Sequence, residues 1–165
     1  MTNILAGNYL ILGSTGLTGT HILLKLKDVK GVKVKAIYHR KKPFISANNI
    51  EYVQADLRER KACIPLMNEI DFVFLNAGTL ATSPVLAKNP ISPILSNLYI
   101  YTNCLEAAYR ANVKKLVFLS STTGYPEFNQ ALTEEQMFEG NPPDSWYFIG
   151  WMTRFVETQC RTYAE

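Results

Sequence analysis

Short apolar runs alternate along the chain with segments of helical spacing. Tyr9 to Leu12 is an apolar run closed by Gly13, and Gly16 to Lys27 carries Leu17, His21, Leu24 and Lys25 at helical spacing. Val32 to Tyr38 alternates apolar and polar residues as a half-covered strand does. Ile50 to Gln54 reads as a further strand, Arg58 to Asn68 as a helix bent or restarted at Pro65, and Asp71 to Asn76 as an apolar strand covered on both faces. Pro90 and Pro93 introduce a long helix to about Ala111, followed by a strand over Lys115 to Ser120. A last helix begins after Pro142-Pro143-Asp144, with Pro143 or Asp144 in its first turn, and runs to the C-terminus.

Strands alternating with helices require right-handed crossovers and parallel pairing, so the pattern predicts an α/β fold, an open parallel sheet with helices on both faces. The least regular stretches, Gly78 to Pro90 and Gly124 to Pro143, follow the C-terminal ends of strands, the edge at which such sheets bind ligands. With 165 residues the chain has room for one domain, expected to span 1–165, and 47% apolar residues can fill its core. The net charge of +3 is spread out, with no basic run longer than Arg40-Lys41-Lys42, which argues against nucleic acid or a membrane surface as partner. Cys63, Cys104 and Cys160 are far apart and there are only two histidines, so neither a disulfide framework nor a metal site is expected. That cysteine usage, with no leader-like start and no long apolar run, predicts a cytoplasmic protein.

The strongest chemical signal is Gly13-Ser14-Thr15-Gly16-Leu17-Thr18-Gly19 between the first strand and the first helix. A turn there that must approach a pyrophosphate needs glycine, because a β-carbon holds the backbone away, and the helix start behind it offers unpaired N–H groups and the positive end of a dipole. Three glycines also make an ordinary tight turn, but the strand-turn-helix context favours dinucleotide binding in a Rossmann-like sheet. About 20 residues further on, an NAD site carries an acid for the ribose 2′-hydroxyl. Here the segment is Ala36-Ile37-Tyr38-His39-Arg40-Lys41-Lys42, so a base stands in its place. Arg40, beside His39 and helped by Lys41 or Lys42, suits a 2′-phosphate, which makes NADP the expected cofactor ahead of NAD.

Taken together, the GxxGxxG turn, Ala55-Asp56-Leu57, Leu75-Asn76-Ala77-Gly78, Ser120-Ser121-Thr122, and Asn103 with Leu105-Glu106-Ala107-Ala108 resemble the extended short-chain dehydrogenase/reductase superfamily, in particular its nucleotide-sugar epimerases, dehydratases and reductases. The resemblance implies Asp56 near the adenine, Leu57 against its ring, Asn76, Ala77 and Gly78 on the nicotinamide side, and Thr122 hydrogen-bonding a substrate oxygen. It also implies a nucleotide sugar as substrate and a homodimer through the long helices. Asp56 is equally readable as a helix N-cap accepting N–H bonds from Arg58 or Glu59.

Enzymes of this superfamily use a tyrosine for proton transfer and a lysine four residues later that lowers its pKa. Read literally from Tyr147, the lysine position is Trp151. Read back from Glu157, Ile149-Gly150-Trp151-Met152-Thr153-Arg154 matches a form Tyr-Gly-Trp-x-Lys-Arg, with Ile149 for the tyrosine and Thr153 for the lysine. The second register is preferred, and in either the lysine is missing. Tyr147 is then turned about 200° from position 149, with Arg154 on its own face, and the two read either as a substitute catalytic pair or as surface or subunit contacts. Phe148, Trp151, Phe155 and Tyr163 form an apolar helix stripe, either ordinary core or a face left uncovered. By comparison with the superfamily the sequence is expected to lack its C-terminal substrate domain. The sequence therefore predicts a dinucleotide-binding domain of weak or no turnover by itself, or else a non-catalytic cofactor sensor, a partner subunit or a truncated remnant.

Overall fold

The computed structural model describes residues 4–79, 88–89 and 91–165. Its elements are β1 (Gly7–Leu12), α1 (Leu17–Leu26), β2 (Val32–Tyr38), β3 (Ile50–Gln54), α2 (Arg60–Leu66), β4 (Phe72–Leu75), α3 (Ile91–Arg110), β5 (Lys115–Phe118), three 3₁₀ turns at Thr122–Gly124, Glu134–Phe138 and Asp144–Trp146, and α4 (Tyr147–Ala164). Of the irregular stretch 78–90, residues 80–87 and 90 lie outside the described residues. By its contacts the chain forms two compact units, Met1–Thr79 with Tyr99–Leu119, and Leu80–Leu98 with Ser120–Glu165.

The first unit carries a five-stranded parallel sheet in the order β3-β2-β1-β4-β5. The order reverses between β1 and β4, which creates a switch point beside the C-terminal end of β1. Alternation along the strands divides the core. On the side of α1, Tyr9 and Ile11 join Leu23, Leu26, Val32, Val34 and Ala36, and Phe72 packs on the Tyr9 ring at 4.8 Å. Leu10, Leu12, Val73 and Leu75 point the other way and are at most 1% exposed. On that side α2 and α3 meet: the Arg60 guanidinium donates two 2.7 Å bonds to the Glu106 carboxylate, and the Cys63 and Cys104 sulfurs lie 4.0 Å apart.

Of the element boundaries that differ from the sequence reading, four have a clear local reason. α2 starts at Arg60 and not Arg58, because the Asp56 carbonyl and carboxylate accept the N–H groups of Glu59 and Arg58 and hold 56–59 as a turn. It ends one residue after Pro65, with no restart. β5 stops at Phe118 because its partner β4 stops at Leu75. The last helix opens on a 3₁₀ turn, in which the Trp146 N–H reaches the Pro143 carbonyl at 2.9 Å, and becomes α-helical only at Tyr147. No described helix is long and apolar enough to cross a membrane, and no cluster of metal-ligating side chains occurs among the described residues.

Candidate functional site

At the switch point each glycine of the turn has a different reason to be there. Gly13 has a φ of 84°, and a β-carbon on it would lie 2.7 Å from the backbone of Ala77. Gly19 packs α1 onto the turn, where a β-carbon would lie 2.3 Å from the Gly13 carbonyl oxygen. The protein's own geometry therefore requires both. Gly16 is another case: its φ of −78° and ψ of 171° suit any residue, and its β-carbon would meet only the Gly13 oxygen, at 3.4 Å. Gly16 is exposed and next to Leu17, which is 80% exposed. Gly16 is the N-cap residue of α1, where glycine is preferred to a bulky apolar residue by about 1 kcal/mol, but no contact within the chain demands it, whereas a ligand whose phosphates rest on that backbone does.

The same turn holds polar atoms that the chain leaves without partners. Ser14 is 1% exposed, and its N–H is tied to the Ile37 carbonyl at 2.9 Å while its Oγ has no partner. Asn76 anchors its N–H on the Leu12 carbonyl at 3.0 Å, yet both side-chain amide atoms are buried and unpaired. Buried polar groups are rarely left unsatisfied, so such atoms call for an explanation. α1 adds a start with no side-chain cap and no acid in its first turn, leaving its N–H groups and dipole free to meet an anion. Thr15 and Ala77 are half-buried and Gly78 is exposed at the same strand ends. These features fit a dinucleotide.

Beyond β2 and β3 a charged group is assembled. Arg58 donates to both Asp56 oxygens, with Nε at 2.9 and 3.1 Å, and His39 Nε2 lies 3.6 Å from the same carboxylate. Hydrogen bonds from the Arg58 side chain, against the effect of burial, hold the Asp56 carboxyl down to about 2. A folded-state value below the ordinary 3.8 means a contribution present above that pH and lost as pH falls towards about 2. Solvent screening keeps it to about 1 kcal/mol or less. Asp56→Asn is therefore expected to lower the thermal midpoint at neutral pH, and the difference from the unsubstituted chain to shrink below pH 4, as followed by circular dichroism. Asp56 caps its own turn, and α2 has Glu59 as its N-cap residue. Leu57 is 6% exposed, and its carbonyl accepts bonds from Cys63 Sγ at 3.3 Å and Asn103 Nδ2 at 3.2 Å. Arg40 is exposed and makes no ion pair among the described residues.

The second unit holds the residues after β5. Thr122 is exposed in its 3₁₀ turn. Beside it runs a chain of hydroxyls: Ser121 Oγ to Thr123 Oγ1 at 2.9 Å, Thr123 Oγ1 to Thr153 Oγ1 at 3.5 Å, and Thr153 Oγ1 donating to the Ile149 carbonyl at 3.0 Å. α4 approaches this turn at Gly150, where a β-carbon would lie 2.5 Å from the Thr123 carbonyl oxygen. The contact turns Thr153, 3% exposed, onto the covered face. Tyr147, 38% exposed, packs its ring against Phe148 and Trp151 on the open face. An open cleft of about 330 Å³ is lined by Ser120, Ser121, Thr122, Tyr125, Glu134, Met137, Glu157 and Arg161.

Burial decides two open readings of α4. Arg154 is not a surface residue: it is 3% exposed, donates to the carbonyls of Gly124 at 2.8 Å and Gly140 at 2.7 Å, and lies 4.9 Å from the Trp151 ring. Those two turns cover the helix at its level, and burial lowers its pKa. Of the two readings of the aromatic stripe, the uncovered face is the one found for Phe148, Trp151 and Phe155, of whose surfaces 61%, 43% and 50% are exposed. The hydroxyl chain and the Arg154 bridge were not anticipated, since neither has a spacing signature.

Strand order, glycine turn and switch-point cradle define a dinucleotide-binding α/β domain. The NAD dependent epimerase/dehydratase family model matches residues 9–165, and the chain belongs to that family. GDP-mannose 3,5-epimerase 1 of Oryza sativa subsp. indica is 28% identical over 162 residues, which cover 94% of this chain and 42% of that protein. The inverting UDP-N-acetylglucosamine 4,6-dehydratase of Campylobacter jejuni is 30% identical over 122 residues, 69% of this chain and 36% of its own. The crystal structure of a GDP-D-glycero-L-gluco-heptose synthase from Campylobacter jejuni, determined in the presence of NADPH, superposes with a TM-score of 0.76 at 25% identity, covering 99% of this chain and 45% of that one. The chain thus spans less than half the length of each of these relatives.

Proposed function

We propose that this chain binds NADP(H) in preference to NAD(H) and does not by itself carry out the proton transfer of its family. The dinucleotide rests on Gly13, Ser14, Thr15, Gly16, Leu17 and Gly19, with Asp56 and Leu57 on the adenine side and Asn76, Ala77 and Gly78 on the nicotinamide side. His39 and Arg40 meet the 2′-phosphate. When bound, the nicotinamide gives or takes a hydride. The chain's own residues anchor phosphates and orient groups: Ser14 Oγ and the Asn76 amide supply the hydrogen bonds they lack in the free chain, and the Thr122 hydroxyl orients a substrate oxygen.

The observation that carries the second half is the position of Thr153. In the preferred register the lysine position is taken by Thr153, a buried hydroxyl bonded to the Ile149 carbonyl and neighbouring Thr123, and neither isoleucine nor threonine titrates near neutral pH. Tyr147 lies on the exposed face among aromatic rings, which supports the register that runs through Ile149. Loss of a general acid alone costs about 100- to 10,000-fold in rate. The names of the relatives, which include GDP-mannose and UDP-N-acetylglucosamine, support a nucleotide sugar as the second ligand. The exposed aromatic face of α4 supports a homodimer through the long helices, and three free cysteines support a reducing, cytoplasmic setting.

Titration of the purified chain with NADPH and NADH, followed by assay on nucleotide sugars, tests this reading. Tight NADPH binding without turnover is expected. Arg40→Ala should weaken NADPH about tenfold and leave NADH unchanged, because only the 2′-phosphate loses its guanidinium. Turnover abolished by Thr122→Ala would overturn the non-catalytic reading, and failure to bind either dinucleotide would overturn the whole.

A further inference from the structure

We propose that Cys63 and Cys104 are a redox-active thiol pair whose closure to a disulfide loosens the Asp56–Leu57–Arg58 turn, and with it the adenine side of the proposed dinucleotide site; this second part rests on the function proposed above.

The two cysteines are 41 positions apart in sequence, yet α2 and α3 bring their sulfurs to 4.0 Å in the first unit, each 0% exposed. A disulfide needs the sulfurs about 2 Å closer. α2 has seven residues, no side-chain cap and a proline in its last turn, so it is the element able to make that shift. The pair is asymmetric. The Cys63 thiol is lowered by the hydrogen bond from Cys104, whereas Cys104 is raised by that same bond and by burial. Cys63 is therefore the attacking sulfur and Cys104 the resolving one. Cys160 is raised to about 11 by burial and serves as an internal control in the second unit.

The oxidant is hydrogen peroxide. The Cys63 thiolate attacks one peroxide oxygen, the O–O bond breaks, and with one proton taken up a sulfenic acid and water result. The Cys104 sulfur then displaces that oxygen: the S–S bond forms, the S–O bond breaks, and the thiol proton leaves with it as a second water. Two thiols lose two electrons in all, and the peroxide gains them. Both sulfurs are buried, so the reaction proceeds through local opening of α2.

The consequence for the site follows from one hydrogen bond. Cys63 Sγ donates to the Leu57 carbonyl at 3.3 Å, and Asn103, the neighbour of Cys104, donates to the carbonyls of Leu57 at 3.2 Å and Arg58 at 2.8 Å. Oxidation removes the Cys63 proton and draws α2 towards α3, so the turn carrying Asp56 loses one of its anchors.

The test treats the full chain with hydrogen peroxide, blocks remaining thiols with N-ethylmaleimide and maps the digest by mass spectrometry. The expected result is a peptide containing Cys63 linked to one containing Cys104, with Cys160 alkylated. If Cys63 and Cys104 are recovered alkylated, or oxidised singly, the thiol pair is refuted. The oxidised chain should bind NADPH about tenfold more weakly, recover with dithiothreitol, and exchange the amide hydrogens of residues 56–58 faster than the reduced chain. A cross-link with unchanged exchange refutes the loosening. If the reduced chain binds no dinucleotide, the preceding reading fails, while the cross-link and the exchange still decide this one. Cys63→Ala and Cys104→Ala should each abolish the response to peroxide.

Discussion

Alanine at position 19 should destabilise the first unit by roughly 3 kcal/mol, and valine at position 16, the N-cap of α1, should cost no more than about 1 kcal/mol while weakening NADPH about a hundredfold. At 19 two effects oppose each other. Alanine is a better helix former than glycine by about 1 kcal/mol, but its β-carbon would stand 2.3 Å from the Gly13 carbonyl oxygen and 2.9 Å from the Ser14 Cα. Both are backbone atoms that no rotamer change can move, so the clash wins. At 16 the backbone is already extended and the space open, so beyond the N-cap preference the added carbons disturb only what lies outside the chain. Urea denaturation reads the first effect and a fluorescence titration with NADPH the second. Equal loss of stability at both positions would mean that the turn is merely tight.

Arg154→Met should cost about 2 kcal/mol and disorder the turn that carries Thr122. The guanidinium bridges the Gly124 and Gly140 carbonyls. Hydrogen bonds from a charged donor are worth about 1.5–3 kcal/mol each, and their loss leaves the buried Gly124 oxygen unpaired. Against that, methionine fills much of the same volume and removes a desolvated charge whose Nη2 has no partner. The bonds outweigh the relief because two carbonyls depend on one side chain. Arg154→Lys, with a single ammonium, should recover only part of the loss. A chemical denaturation midpoint equal to that of the unsubstituted chain would show that the bridge is dispensable.

Much of this architecture was legible because period and glycine placement report backbone geometry directly. The run Tyr9 to Leu12, the alternation of Val32 to Tyr38 and the spacing of Gly13, Gly16 and Gly19 gave strands, helix and turn in their observed order. What differed depended on neighbours. β5 ends where β4 ends, and Arg58 is held out of α2 by Asp56, which no propensity records. The site was legible only in part for the same reason. Gly13 and Gly19 look identical to Gly16 in sequence, yet the first two serve packing and the third leaves a surface open. Arg154 reads as an ordinary helix-surface charge until the Gly124 and Gly140 turns close over it. Cys63 and Cys104, 41 positions apart, become neighbours only through the packing of α2 on α3.

The most direct measurement is an isothermal calorimetric titration of the purified, reduced chain with NADPH, repeated on Gly16→Val. One saturable site in the unsubstituted chain, lost in the variant although it stays folded and loses no more than about 1 kcal/mol in urea, is the predicted result. No heat of binding in the unsubstituted chain, or equal affinity in the two, would contradict the account.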